Sequence, residues 1–443
     1  MADSDKIKNI AIVGEVDASK STFIGVISTG VLDDGRGLAR ASVLTCKHEL
    51  ESGRTSNINT VLACFARYSS TTNAKTVEDA TAKLEQLNLK PQRIRFLDLA
   101  GHERYIGSTM QGLTRYRPDM AILLIAGNRD VTRMTQEHFR VCYSLRIPIL
   151  IGITKIDITP AEVLKQTVKS ISSLIRSIKG TKIHAYPIRN DDTLTRAITA
   201  FNMSPTQVCP IMKFSNVTGE GLDDIRTFLS QLDLAEDTDQ SLQNFMEANQ
   251  INTLFWTYKP YYVTGIGHIV FGINRGAAIT KNTKLMLGPI SNEYHEVRVR
   301  SIHNADQELI NELPTGHSGC LALKFVNTTV TKQQLRKTVV TDRPISTIGI
   351  VAEVYIFSHH STITVGYNPY IHFANAATSA RIVAIHGENP IVNSTASVKK
   401  IMRTDDRGYI TFNFPTTQFA YPGGLIIFRE GGLRGMGRIV NLL

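Results

Sequence analysis

The fold of this chain is decided by the stretch Ile10-Ala11-Ile12-Val13-Gly14-Glu15-Val16-Asp17-Ala18-Ser19-Lys20-Ser21. Its four leading apolar residues predict a buried strand, and a tight turn then opens a helix. The stretch matches the phosphate-binding pattern G-x-x-x-x-G-K-[ST] except at Ser19, which replaces the second glycine. Main-chain N–H groups and the helix dipole make such a loop a positive concavity for phosphate oxygens. We therefore predict a nucleotide-binding P-loop, against the alternative of an ordinary strand-to-helix turn.

Further polar segments follow apolar runs in the chain order that an open α/β sheet requires of its ligand site. They are Asp98-Leu99-Ala100-Gly101-His102-Glu103, Thr154-Lys155-Ile156-Asp157 and Ser215-Asn216-Val217-Thr218-Gly219-Glu220. A carboxylate after a strand suits a Mg²⁺ shell, and a nearby glycine lets a main-chain N–H approach a γ-phosphate. A carboxylate in the second segment can accept two N–H bonds from a guanine edge. Between the P-loop and Asp98, Thr55 can offer its hydroxyl to the metal.

At these residues the chain resembles the translational GTPases, the superfamily of elongation factor Tu and eukaryotic elongation factor 1-alpha. Within that superfamily it is most similar to the eukaryotic GTP-binding protein 1 and 2 subfamily. The resemblance is carried by the following segments: Leu32-Asp33-Asp34-Gly35-Arg36-Gly37-Leu38-Ala39-Arg40, Lys47-His48-Glu49-Leu50-Glu51-Ser52-Gly53-Arg54-Thr55-Ser56 and Ser215 to Glu220. Thr154, where most GTPases have Asn, also fits that subfamily.

The resemblance implies a role for each matching residue. The nucleotide-binding set would be Gly14, Asp17, Ala18, Ser19, Lys20, Ser21, Thr22, Gly101, Thr154, Lys155, Asp157, Ser215, Asn216 and Val217. The Mg²⁺ ligands would be Ser21, Thr55 and Asp98. His102 matches the histidine that positions the attacking water, against the alternative of a loop histidine with no chemistry. GTP or GDP and Mg²⁺ are the implied cofactors.

Two departures from the family pattern leave the strength of nucleotide binding open. If Ser19 has a positive φ, a serine costs about 1 kcal/mol or somewhat more than glycine. If its φ is negative, serine fits and its N–H still donates. Glu15 stands where the superfamily usually has His or Asn, and we expect its carboxylate to point away from the phosphates, which it would repel.

The pattern of apolar segments predicts an α/β P-loop GTPase domain with a mostly parallel sheet, followed by two all-β barrel domains. Strands and helices alternate from residue 7 to about residue 234, so we place the GTP-binding domain at 1–235. An acidic, polar stretch at 236–249 is a predicted linker. Short strands with glycine turns then predict barrel domain II at 250–343 and barrel domain III at 344–443.

Composition limits the class of protein. The 443 residues suit two to three domains, and 42% hydrophobic with 20% charged residues is typical of a soluble globular protein. Five widely spaced cysteines without a C-x-x-C pattern indicate buried thiols in a reducing compartment, so we expect a cytoplasmic protein. The polar N-terminus predicts no secretory signal, and the apolar runs are too short to span a membrane.

The net charge of +10 is typical of a chain with an anionic partner, most simply RNA, and equally of a solvated basic surface, and charge alone does not separate the two. The resemblance implies tRNA and the ribosome as partners, no DNA and a monomer. Basic residues of the barrels that could hold a tRNA acceptor arm are Lys399, Lys400, Arg403, Arg407, Arg429, Arg434 and Arg438. We do not interpret His359, His360 and His372 as a metal site, because they lack a carboxylate or thiol partner in recognisable spacing.

Three functions remain open at this level. The first is a GTP-hydrolysing, elongation-factor-like switch. The second is a degenerate GTPase that binds tRNA, ribosomes or an RNA-decay machine without cycling, which Ser19 and Glu15 motivate. The third is a termination- or rescue-type factor that binds a release-factor-like protein.

Overall fold

The computed structural model describes residues 7–44, 55, 58–65, 92–177, 183–234, 239–304, 307–326, 330–356, 362–391, 399–430 and 432–443. The chain divides into two compact units, Met1–Asp237 and Thr238–Leu443. Most of the predicted segment from Lys47 to Ser56 lies outside the described residues, as do His359 and His360; Thr55 is described.

A seven-stranded sheet forms the centre of the first unit. Its strands are β1 (Lys8–Gly14), β2 (Asn59–Phe65), β3 (Gln92–Asp98), β4 (Met120–Ala126), β5 (Ile149–Thr154), β6 (His184–Pro187) and β7 (Val208–Lys213). Their order is β2-β3-β1-β4-β5-β7-β6, and every pair is parallel except β2–β3. Six of these strands are predicted by apolar runs; β6 has a half-exposed pattern at the sheet edge and gives no such signal.

Six helices accompany the described part of this sheet. They are α1 (Lys20–Thr29), α2 (Ile106–Tyr116), α3 (Arg133–Ser144), α4 (Ala161–Ser177), α5 (Asp191–Met203) and α6 (Leu222–Ser230). All seven residues of β4 are buried, as expected for a central parallel strand covered on both faces. The rings of Phe23, Phe96 and Phe214 pack together beneath the P-loop helix. This core holds the carboxyl ends of β1, β3, β5 and β7 at one edge of the sheet.

The second unit begins with a closed antiparallel barrel. Its strands are β8 (Leu254–Val263), β9 (Gly267–Asn274), β11 (Lys284–Ile290), β12 (Glu293–Asn304), β13 (Leu309–Ile310), β15 (Ser318–Phe325) and β16 (Val339–Thr341). Pairing of β11 with β12 closes the sheet order β11-β16-β8-β9-β15-β12 into a ring. The short strands β10 (Ile279–Thr280) and β14 (Glu312–Leu313) pair separately. An apolar interior that includes Phe255, Leu287 and Val299 fills the ring.

A second antiparallel sheet completes the unit. Its strands are β17 (Thr347–Ile356), β19 (Tyr370–Phe373), β20 (Ala376–Ser379), β21 (Arg381–His386), β23 (Arg407–Gln418), β24 (Leu425–Glu430) and β25 (Gly432–Leu442). Strands β18 (Ile363–Thr364) and β22 (Ile401–Met402) pair beside it. The sheet encloses its own core around Phe373, Phe412 and Phe428. The predicted fold class, a parallel-sheet P-loop domain followed by two all-β barrel domains, is confirmed.

The polar stretch predicted as a linker contains a helix, α7 (Gln240–Ala248). Asp239 caps it by accepting from the Leu242 N–H at 3.2 Å, and the Tyr421 hydroxyl donates to the same carboxylate at 2.5 Å. Leu242 and Met246, four residues apart, are buried on one face. The composition did not predict this helix, because only two of its nine residues, Leu242 and Met246, are buried apolar residues.

Two of the cysteines, Cys142 and Cys209, are buried, and burial raises the pKa of each thiol to about 12. Cys64 and Cys320 are only half-buried, which differs from the expectation of buried thiols. Among the residues the structure describes, no helix is long and apolar enough to cross a membrane.

Candidate nucleotide-binding site

The P-loop connects β1 to α1 in a conformation that needs positive φ angles. Gly14 has a φ of 145° and lies against the main chain of Leu124, where a Cβ atom would collide. Asp17 and Ser19 adopt left-handed conformations, with φ of 64° and 63°. The structure therefore selects the strained alternative for Ser19, at a cost of about 1 kcal/mol relative to glycine.

Lys20 lies buried at the first position of α1. Its Nζ donates to the main-chain carbonyl of Glu15 at 2.7 Å, which closes the loop around the ammonium group. Burial lowers the pKa of Lys20, and the carboxylates of Asp98, Asp17 and Glu15, in decreasing order, partly offset that effect. Glu15 itself is half-buried. A nearby anion would stabilise the charged form of this buried ammonium group.

Three oxygen-bearing side chains meet beside Lys20. Ser21 Oγ donates to Asp98 Oδ2 at 2.7 Å, and Thr55 Oγ1 donates to the same oxygen at 2.9 Å. The two hydroxyl oxygens are 3.0 Å apart. Asp98 is fully buried, and Thr55 is 9% exposed. All three predicted metal ligands thus come together as an all-oxygen set, the donor chemistry that Mg²⁺ prefers.

Gly101 follows Asp98 and sits directly on the P-loop. A Cβ atom there would collide with the Lys20 ammonium and with the main chain of Gly14 and Glu15. The preceding carbonyl, that of Ala100, accepts from the Thr109 hydroxyl at 2.6 Å, which ties this turn to α2. Glycine is thus required where the turn after β3 meets the loop between β1 and α1.

His102 caps the short 3₁₀ turn Glu103–Tyr105. Its Nδ1 accepts from the Arg104 N–H at 3.1 Å, which leaves Nε2 to carry the proton of the neutral ring. The ring is half-exposed and meets Tyr105 edge-on at 6.1 Å between centroids. A half-exposed imidazole with one ring nitrogen fixed by a main-chain N–H can hold a water molecule at the other.

The segment after β5 contacts the P-loop from the other side. The Thr154 hydroxyl, fully buried, donates to the Ala18 carbonyl at 3.3 Å. Lys155 takes a left-handed conformation with a φ of 60°, and Asp157 stands exposed on the 3₁₀ turn Ile156–Ile158. The turn therefore presents an exposed carboxylate three residues beyond the buried Thr154.

The segment after β7 is a tight turn organised by Ser215. The buried Ser215 hydroxyl accepts from the N–H groups of Val217 and Thr218, both at 3.1 Å. Asn216 is 6% exposed, whereas Val217 is 40% exposed. The predicted residues 215–217 and 154–157 thus lie at the carboxyl ends of the neighbouring strands β7 and β5.

Comparison with known proteins agrees with this geometry. Residues 5–248 match the elongation factor Tu GTP-binding domain. The chain belongs to this family of translational GTPases. It is 30% identical to GTP-binding protein 1 of Xenopus laevis over its whole length, and it spans 64% of the length of that relative.

Two solved structures share the fold of this translational GTPase at low sequence identity. The elongation factor SelB of Methanococcus maripaludis with the GTP analogue GPPNHP has a TM-score of 0.66 and 18% identity, over 99% of this chain and 80% of that one. The Ski7 GTPase-like domain of S. cerevisiae bound to GTP has a TM-score of 0.67 and 11% identity, over 98% and 97%. At these identities the likeness shows the fold alone.

Several residues around the site were not predicted from the sequence of this chain. Arg129 pairs with the exposed P-loop residue Asp17 at 3.6 Å. His138 on α3 is buried, and its pKa falls to about 3 because of burial and, secondarily, the charge of Lys20. Asp33 contacts Asn216 through its main chain. Only Asp33 carried a signal, since a carboxylate followed by glycines is typical of turns closed by side-chain-to-main-chain bonds.

Among the remaining predicted residues, Ala18 is buried beneath the loop and Thr22 is half-buried in the first turn of α1. Of the seven basic barrel residues, Arg429 is engaged internally: its Nε donates to the buried His372 at 3.1 Å, and its guanidinium lies over Tyr370 at 5.1 Å. Lys399, Lys400, Arg403, Arg407 and Arg438 are exposed, and the side chain of Arg434 lies outside the description.

Proposed function

We propose that this chain binds GTP and GDP with Mg²⁺, hydrolyses GTP, and acts as a cytoplasmic elongation-factor-like switch with tRNA or the ribosome. The observation that carries the proposal is the meeting of Ser21, Thr55 and Asp98 within 3.0 Å of one another beside a buried lysine. These residues come from three separated segments. A structural role alone does not require two hydroxyls and a carboxylate beside an ammonium.

The phosphate groups would lie along the P-loop, where main-chain N–H groups and the start of α1 favour negative charge. Lys20 would exchange its bond to the Glu15 carbonyl for phosphate oxygens. Mg²⁺ held by Ser21, Thr55 and Asp98 would neutralise charge on the β- and γ-phosphates. The main-chain N–H of Gly101 would donate to the γ-phosphate, and this contact would be lost on hydrolysis.

His102 would position the attacking water. The water oxygen bonds to the γ-phosphorus, the bond to the β,γ-bridging oxygen breaks, and GDP and phosphate leave. The reaction needs little covalent chemistry from the protein, so positioning and charge neutralisation dominate. With Nδ1 held by the Arg104 N–H, the Nε2–H of His102 would donate to the water and orient its lone pair.

The guanine base would lie between the two turns at the other end of the site. The exposed carboxylate of Asp157 would accept from the guanine N1 and 2-amino groups. The stem of Lys155 would cover one ring face. The main-chain N–H of Asn216 would face the O6 atom, within a turn that the bonded N–H groups of Ser215 and Val217 hold in place. Thr154, by its bond to the Ala18 carbonyl, would hold the two ends of the site at a constant separation.

Binding of tRNA or the ribosome is proposed from charge and from the side chains of the second unit. The net charge is +10, and exposed cations lie beside aromatic rings, such as Arg407 over Tyr355 at 5.5 Å and Lys259 over Tyr261 at 5.3 Å. Cations that neutralise phosphates together with rings that stack on bases are typical of RNA-binding surfaces.

A second candidate is the binding module that keeps the fold without cycling. The left-handed Ser19 motivates it, because a P-loop that adopted this conformation only with nucleotide would bind more weakly than one with glycine there. A termination- or rescue-type factor is a third variant, which would bind a release-factor-like protein instead of tRNA.

The first experiment is calorimetry of the purified chain with GDP and GTP, with and without Mg²⁺. Micromolar or tighter binding that depends on Mg²⁺ supports the switch. No binding of either nucleotide contradicts it and favours the binding module.

Substitution of His102 then tests hydrolysis. We expect His102→Ala to lower ribosome-stimulated turnover roughly 100-fold or more, with GTP affinity changed only a few-fold. The exposed His184 on β6 provides the control, because His184→Ala removes the same ring away from the site. Equal losses of turnover and affinity in His102→Ala would contradict the assigned role.

A further inference from the structure

Residues 31–38, which we name the Asp33 loop, are organised by one buried carboxylate. Asp33 is 8% exposed. Its Oδ2 accepts from the N–H groups of Gly35 at 3.1 Å and Gly37 at 3.2 Å, and its Oδ1 accepts from Ala39 at 3.0 Å. Hydrogen bonds from main-chain amides to an ionised carboxylate are stronger than neutral ones. This carboxylate therefore fixes the path of the whole loop.

The Asp33 loop is attached to the turn after β7 at two points. The Asp33 N–H donates to the Asn216 carbonyl at 2.9 Å. The tip of Leu32 lies against Gly219, close enough that a Cβ atom on Gly219 would be 3.4 Å from both methyl carbons. The Gly219 N–H in turn donates to the Ser215 carbonyl at 3.1 Å. The loop thus holds the main chain of residues 215–219 from outside.

The other end of the loop rests on the helix that begins in the P-loop. The 3₁₀ turn Ala39–Ser42 crosses α1 at Gly25, where a Cβ atom would collide with the Ala39 carbonyl. The loop is therefore not free to follow the turn if that turn moves. It joins a helix on the phosphate side of the site to a turn on the base side.

We infer that Asp33 is a positioning residue for guanine recognition. By holding the Asn216 carbonyl, Asp33 sets the position of the Asn216 main-chain N–H that would face the guanine O6 atom. The inference rests on the proposed function, because it requires that the turn at residues 215–217 binds a guanine base. Asp33 touches no nucleotide itself and acts only through Asn216.

The test compares Asp33→Asn with Asp34→Asn. Asp34 is the adjacent, exposed aspartate, and its carboxylate accepts from the N–H groups of Arg36 at 2.8 Å and Leu38 at 3.2 Å within the same loop. We expect Asp33→Asn to weaken GDP binding on the order of tenfold, because the amide loses the charge and one acceptor oxygen. Asp34→Asn should bind GDP as the unmodified chain does.

Two GDP analogues separate positioning from a general loss of structure. 6-Thio-GDP differs from GDP only at the O6 acceptor, and IDP lacks only the 2-amino group that Asp157 would bind. In Asp33→Asn we expect the preference for GDP over 6-thio-GDP to fall while the preference for GDP over IDP stays unchanged. Equal weakening of all three nucleotides would overturn the inference, as would GDP binding equal to that of Asp34→Asn.

Failure of the proposed function would be recognisable separately, because the unmodified chain would then bind none of the three nucleotides. If Asp33→Asn does not fold, Leu32→Ala tests the second contact with the same turn. Leu32 is 40% exposed, so its truncation leaves the core intact. We expect the same change in the 6-thio-GDP preference at about three-fold, consistent with loss of a partly buried contact. An unchanged preference would overturn the inference.

Discussion

The two ends of the site are built on different principles. At the phosphate end, side chains from separate segments bond directly to one another, as Ser21, Thr55 and Asp98 do, and the participating charges are buried. At the base end, the hydrogen bonds involve main-chain groups: the Ser215 hydroxyl accepts from two N–H groups of its own turn, and the Asp33 N–H donates to the Asn216 carbonyl. The carboxylate of Asp157 is exposed.

In the proposed function, this difference corresponds to two tasks: hydrolysis at the phosphate end and recognition of the base at the other end. Buried, mutually bonded groups at the phosphate end suit tight control of charge, which hydrolysis requires. In the proposed function, a base end made of supported turns would select by shape and by the placement of single donors. We therefore expect substitutions at the phosphate end to change the discrimination between GTP and GDP. Substitutions at the base end should change the discrimination between guanine and its analogues.

The largest expected effect comes from Gly101→Ala. Its Cβ would meet the Gly14 carbonyl and the Lys20 ammonium, and neither main chain nor a buried charge can move cheaply. Overpacking of this kind costs about 1–3 kcal/mol, so GTP affinity should fall roughly 10- to 100-fold. GDP affinity should fall less, because the γ-phosphate contact belongs to GTP alone. Titration with both nucleotides in Mg²⁺ measures the difference.

Gly112→Ala is the matched control, because the atoms nearest to its Cβ would be flexible side-chain carbons of Leu99 and Ile58. It should bind both nucleotides nearly as the unmodified chain does. If Gly101→Ala weakened GTP and GDP equally, the proposed γ-phosphate contact and the distinction between the two ends would both be wrong.

The phosphate end also includes a group whose titration should make the stability of the chain depend on pH. This group is the buried His138, whose pKa is affected by the charge of Lys20. Its pKa is about 3 when folded and about 6.5 when unfolded, so below pH 6.5 the unfolded chain binds a proton that the folded chain does not. The free energy of unfolding should therefore fall by about 1.4 kcal/mol for each pH unit between these values. His138→Leu should remove this contribution, as denaturant unfolding at pH 7 and at pH 5 would measure.

At neutral pH the same variant should be at least as stable as the unmodified chain. Neither ring nitrogen of His138 has a hydrogen-bond partner within the described part of the chain, so leucine removes an unpaired buried polar group. His184→Leu, at an exposed position, should leave the acid sensitivity in place. An identical pH dependence in His138→Leu and the unmodified chain would contradict the assignment.

The phosphate end was predictable from sequence because its residues are functional groups in a recognisable order. Ser21, Thr55 and Asp98 carry the oxygen groups that a shared Mg²⁺ site requires. The parallel sheet also places the loops after β1 and β3 at one edge. The base end was predictable in part, because Asp157 and Ser215 follow predicted strands. The support given by Asp33 was not predictable, because it depends on a contact with Asn216, 183 residues further along the chain. No local pattern encodes that meeting.

Similar limits explain the elements that were missed. Strand β6 has an exposed His184 and a Pro187, which give no apolar run. Helix α7 carries two buried side chains, and its capping residue Asp239 accepts a hydrogen bond from the distant Tyr421. His138 follows no motif, and its importance arises only from the burial and the neighbouring charge that folding creates.

The smallest expected effect tests the strain at Ser19. Because the left-handed backbone is already present in this structure, its cost falls on folding rather than on binding. Ser19→Gly should therefore raise the free energy of unfolding by up to about 1 kcal/mol, with GDP affinity unchanged. Arg146→Gly, at an exposed position with a φ of 55°, supplies the same relief of strain away from the site. If Ser19→Gly instead raised GDP affinity about five-fold or more while Arg146→Gly did not, the loop would adopt this conformation only with nucleotide, and the degenerate-site alternative would gain support.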